Sequence, residues 1–144
     1  MGTDRRTSGG SASPAGRGKT GLRILVVEDH ADTAATLALV LGRAGHETQV
    51  APNGPAAVEA VQAAPPDVVL LDIGLPGMSG WEVARRVTEQ PAEKRPLLVA
   101  LTGYGKEEDR RRSEEAGIDL HLVKPVDPAE LLRLLKRFHR VVGG

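Results

Sequence analysis

From residue 22 onward, short apolar runs alternate with stretches of helical period. LRILVV (22–27) and DVVLL (67–71) are too short for helices, rich in branched side chains and apolar on both faces, the pattern of central strands in a parallel sheet. LLVALT (97–102) and LHLV (120–123) read the same way, and the more polar HETQV (46–50) suits an edge. Between these runs the spacing predicts helices over 32–44, 55–64, 80–90, 106–116 and 128–140. The first of them places Leu37, Val40, Leu41 and Ala44 on one face.

Local punctuation supports the helices. Ser79 with Glu82 and Asp127 with Glu130 have capping-box spacing, and Pro128 occupies a first helical position. Gly45 and Gly117 stand where a left-handed residue closes a helix. Strands that alternate with helices require right-handed crossovers and predict a three-layer α/β sandwich around a five-stranded parallel sheet. In such folds chemistry gathers at the carboxyl ends of the strands.

Composition narrows the picture. At 144 residues the chain holds one ordinary domain, assigned to 22–141. Residues 1–21 contain six glycines and almost no apolar side chains, so a disordered Gly/Ser/Arg tail or linker is expected there. Lys plus Arg equals Asp plus Glu at 19 each, leaving no basic excess for a nucleic-acid backbone, and no nucleic acid is expected as partner. The absence of cysteine removes disulfides, thiolate metal sites and cysteine nucleophiles. Without a long apolar run or a signal sequence, no membrane association and a cytoplasmic location are expected.

The predicted strand ends carry a polar set: Glu28 and Asp29 after the first, Asp72 after the third, Thr102 after the fourth and Lys124 after the fifth. Three carboxylates brought within about 5 Å would repel by roughly 3 kcal/mol per pair at an effective dielectric near 20, so the cluster calls for a cation. Hard oxygen donors favour Mg²⁺. An Asp beside such a cation and a lysine suits phosphoryl transfer, with Asp72 attacking and Lys124 and Thr102 contacting phosphoryl oxygens.

The segments VVEDH, LLDIGLPGMSGWE, ALTGYG and HLVKPVD resemble the response regulator receiver domain over about residues 22–140. The resemblance implies the flavodoxin-like strand order 2-1-3-4-5. It also implies a switch that catalyses only its own phosphorylation and dephosphorylation and is not otherwise an enzyme. Glu28 and Asp29 then match the metal-binding acidic pair, Asp72 the phospho-acceptor, Thr102 the switch hydroxyl and Lys124 the lysine of the site. The backbone carbonyl of Gly74 matches a further Mg²⁺ ligand, and Lys124–Pro125 is expected to be a cis peptide bond. Implied partners are a sensor histidine kinase or histidine phosphotransfer protein and a downstream protein. The downstream contact is expected on the fourth helix, fifth strand and fifth helix (Arg111, His121, Leu132 and Phe138), with a possible phosphorylation-linked homodimer.

Two positions depart from or vary within that pattern. His121 occupies the place of the family's switch aromatic, and imidazole adds a polar edge that titrates near neutrality. Tyr104 stands at a position that tunes acyl-phosphate lifetime.

Other motifs stand in contexts that do not support them. Gly16, Gly18 and Gly21 form a GxGxxG, but it precedes the first strand instead of joining a strand to a helix. His30, His46, His121 and His139 share no metal-ligand spacing and are assigned surface or packing roles. Alternatives are a receiver-fold interaction module that works without phosphorylation, the receiver portion of a hybrid histidine kinase, an aspartyl-phosphate hydrolase and a flavin-binding protein. The hydrolase reading is weakened because Gly74 stands where a second acid is needed, and the flavin reading by the lack of a phosphate loop. With four residues after the last predicted helix, output is expected through protein contact. The fourth predicted helix, KEEDRRRSEEA, has only Ala116 as an apolar anchor; Glu107–Arg111 and Glu108–Arg112 are its expected ion pairs.

Overall fold

The computed structural model describes residues 21–91, 95–103 and 107–143, with side chains for all of these except 107–109 and 140–143. The elements alternate: β1 (Arg23–Val27), α1 (Ala31–Arg43), β2 (Glu47–Ala51), α2 (Gly54–Ala63), β3 (Val68–Asp72), α3 (Gly80–Thr88), β4 (Leu97–Thr102), α4 (Glu107–Glu115), β5 (Leu120–Val123) and α5 (Pro128–Gly143). The five strands pair in parallel in the order β2-β1-β3-β4-β5. This is the expected three-layer sandwich, and every predicted element is present with ends moved by a few residues.

The two-sided apolar strands are explained by two cores. Alternate β1 side chains Leu25 and Val27 join Ala57, Val61, Val83 and Val87 of α2 and α3 on one face. Ile24 and Val26 join Leu37, Leu41, Leu131 and Leu135 of α1 and α5 on the other. Each of these Val, Leu and Ile side chains contributes about 1.5–3 kcal/mol on burial, so the central strands are fixed in register from both sides.

Local signals held with adjustments. Gly45 and Gly117 have φ of 98° and 93°. The α1 helix ends at Arg43, which leaves Ala44 in the exposed turn and not on the buried face; Ala34, Leu37 and Leu41 form that face. Ser79 accepts from the Glu82 N–H at 3.3 Å, while the Glu82 carboxylate accepts from Arg86 instead of closing the capping box. Asn53, unmarked by the sequence pattern, caps α2 by accepting from the Ala56 N–H at 2.8 Å.

In α4 the only buried side chain among those described is Ser113. The Arg112 guanidinium sits 4.0 Å above the Trp81 ring. The side chains of Glu107 and Glu108 lie outside the described residues. So does the tail expected at 1–21, apart from Gly21, where any side chain would strike the Gly45 carbonyl. Among the described residues no helix is long and apolar enough to cross a membrane.

Candidate functional site

Among the described residues four polar or charged side chains are buried: Glu28, Asp72, Thr102 and Ser113. The first three stand at the carboxyl ends of β1, β3 and β4, which is where the fold leaves a crevice. Burial of carboxylates is expensive unless partners offset it, so their surroundings decide what the crevice does.

Glu28 prolongs β1: its N–H donates to the Ala51 carbonyl at 3.1 Å, and this turns its side chain inward. Asp72 ends β3, and its Oδ1 accepts from the Gly74 N–H at 2.9 Å. Lys124 follows β5, held by donation of its N–H to the Thr102 carbonyl at 2.6 Å. From there its Nζ reaches Asp72 Oδ1 at 3.2 Å and Glu28 Oε1 at 3.5 Å. The Lys124–Pro125 peptide is cis, as expected. Gly80 opens α3 directly against the Asp72 backbone; a Cβ there would stand 2.8 Å from the Asp72 carbonyl oxygen.

The structure therefore brings together Glu28, Asp29, Asp72, Gly74, Thr102 and Lys124. Two carboxylates, Glu28 and Asp72, face the Lys124 ammonium, and Asp29 adds a third close to Glu28. The oxygen-rich donor set and surplus negative charge fit a hard divalent cation such as Mg²⁺.

Sheet register clarifies the switch positions. Thr102 pairs with Val123 and Ala100 with His121. Thr102 and His121 thus share the sheet face on which Ala100 packs against α2 and α3. Nε2 of His121 is buried and has no hydrogen-bond partner among the described residues. Burial pushes the His121 pKa below its ordinary value, and Arg110 pushes the same way against the opposing pull of Glu114. Tyr104 lies outside the described residues.

Two features escaped the sequence reading. His30 lies at the surface as expected, its side chain 74% exposed, and from there its Nδ1 stands 3.2 Å from Glu28 Oε2 and 3.5 Å from Asp29 Oδ1, a contact that no ligand spacing marks. Its adjacency to the acidic pair was the available signal. Trp81 and Ser113 are hydrogen-bonded across 32 residues, and no periodic pattern encodes that contact.

The chain matches the response regulator receiver domain family over residues 24–136. The chain belongs to the response regulator receiver family. Receiver domains are signalling switches, for which phosphorylation by a kinase is generic, and not enzymes with a turnover substrate.

Relatives of this receiver occur in several settings. The phosphate regulon transcriptional regulatory protein PhoB of Pseudomonas aeruginosa is 36% identical over 123 residues, which cover 85% of this chain and 54% of PhoB. The chain therefore spans about half of that regulator. Vibrio cholerae chemotaxis response regulator CheY4 superposes with TM-score 0.76 at 30% identity, covering 82% of this chain and 98% of that one. The receiver domain of the P. aeruginosa sensor histidine kinase PA1611 superposes with TM-score 0.74 at 31% identity, covering 81% and 96%. That structure has a magnesium ion coordinated in its active-site cleft.

Proposed function

We propose that this receiver accepts a phosphoryl group on Asp72 from a histidine kinase or histidine phosphotransfer protein and signals by reshaping a protein-binding face. The observation that carries the reading is the convergence of two buried carboxylates, Glu28 and Asp72, on the Lys124 ammonium. An Asp72 oxygen forms the new P–O bond as the P–N bond of the donor phosphohistidine breaks, and the electron pair of that bond stays on the imidazole. Lys124 neutralises charge on the transferred group. The Thr102 hydroxyl donates to a phosphoryl oxygen once one is present. Glu28, Asp29, Asp72 and the Gly74 carbonyl would hold Mg²⁺, which would supply charge neutralisation.

The signal leaves through α4, β5 and α5. A groove of about 600 Å³ on this side is lined by Leu120, His121, Arg133, Leu134, Arg137 and Phe138. Leu120 and Val123 remain 40% and 49% exposed, offering apolar contact for a partner or a second copy. Thr102 moving toward a phosphate vacates space on the face it shares with His121, so the change is delivered to β5 and α4.

Incubation with acetyl phosphate and Mg²⁺ followed by intact mass tests the reading. One phosphoryl group per chain is expected in the native protein and none in Asp72→Ala; equal labelling of both would overturn it.

A further inference from the structure

His30 occupies the N-cap of α1, a position where Ser, Thr, Asp or Asn normally bonds an exposed backbone N–H. Its side chain makes no such bond. The imidazole is turned back over the acidic pair, with Nδ1 at 3.2 Å from Glu28 Oε2 and 3.5 Å from Asp29 Oδ1. One donor atom from each of Glu28, Asp29 and His30 lies within 4.8 Å of the other two. The ring is 74% exposed, so an ion arriving from solvent meets it before the buried Glu28.

Donors bound at adjacent positions of an octahedral ion, each about 2.1 Å from it, stand roughly 3 Å apart. The His30 spacings to both acids are within about half an ångström of that. An imidazole nitrogen does little for Mg²⁺, which prefers oxygen, but strengthens binding of Co²⁺, Ni²⁺ and Zn²⁺.

We propose that His30 is a nitrogen ligand of the cation site, giving this receiver a preference for first-row divalent transition ions over Mg²⁺. The proposal rests on the acidic pocket being a divalent-cation site, and its test separates the two ideas. The opposing physical possibility is that His30 serves the acids as a positive partner. In that case its removal frees the carboxylates and strengthens every divalent ion alike.

Calorimetric titration of untagged protein with Co²⁺ and, separately, Mg²⁺ decides between them, using the native chain, His30→Ala and His30→Asn. The Asn variant supplies a helix cap and so guards against a folding artefact. The proposal expects Co²⁺ affinity to fall about tenfold or more in both variants, with Mg²⁺ affinity unchanged within about twofold. The visible Co²⁺ spectrum should shift as nitrogen is lost. Equal weakening for both ions, no change, or tighter binding of both in the variants overturns the His30 assignment. Failure of Mg²⁺ to bind any form, with His30-dependent Co²⁺ binding retained, supports His30 as ligand and overturns Mg²⁺ as the cofactor.

Discussion

The indole N–H of Trp81 donates to the hydroxyl of Ser113 at 3.0 Å, tying the first turn of α3 to α4. Arg112 caps the same ring at 4.0 Å, so an arginine adds a cation–π contact to the tie. Because Gly80, which precedes Trp81, rests against the Asp72 backbone, adjacent residues of α3 join the acceptor to the anchor of α4. The charged α4 sequence offers little else for burial, which makes this pair its main inward hold among the described residues.

Ser113→Ala should therefore loosen α4 and leave the indole N–H without its acceptor. The expected loss is about 1–2 kcal/mol in urea unfolding, with faster amide exchange across residues 107–116. Trp81 is the only tryptophan, so its emission reports the same change. Unaltered exchange in that segment would show that α4 is held by other means.

At His121 the buried Nε2 lacks a partner among the described residues, and an unsatisfied buried nitrogen costs stability. His121→Phe keeps a flat ring and removes the polar atom. It should stabilise the fold by roughly 1 kcal/mol, read as a higher urea midpoint with unchanged slope. A lower midpoint would mean that the nitrogen is satisfied.

A different histidine gives the fold a pH dependence. Nδ1 of His46 accepts from the Leu22 N–H at 3.0 Å, which requires an unprotonated ring atom. Burial, assisted by His139, holds its pKa below the ordinary 6.5. The unfolded chain thus binds the proton more tightly than the folded one. This contribution to stability is complete above the unfolded value and is lost as pH falls from there through the lowered folded value. Denaturation of the native chain and His46→Gln at pH 7.5 and 5.5, values chosen to bracket about 6.5, should show a smaller acid loss in the variant. Equal losses would remove His46 from the account.

The legible part of this protein was the part set by local rules. Strands such as VVLL carried apolar residues on both faces because two helical layers cover the sheet, and parallel crossovers put Glu28, Asp72, Thr102 and Lys124 at strand ends on one edge of the sheet. The illegible part depended on contacts without a local signature. Ser113 reads as one more polar residue in a charged helix until folding places Trp81 beside it. His30 reads as an isolated histidine until its rotamer turns it onto the acids. Ala44 fits the α1 stripe, but the helix ends one residue earlier and Gly45 turns the chain away.

The position of the transferred group is the most direct test of the account. Protein treated with acetyl phosphate and Mg²⁺ is reduced with borohydride, which converts an aspartyl phosphate to homoserine, and then mapped by peptide mass spectrometry. The account predicts homoserine at position 72 and at no other aspartate. Reduction at a different residue, or phosphate found on a hydroxyl or imidazole while Asp72 stays unmodified, would contradict it.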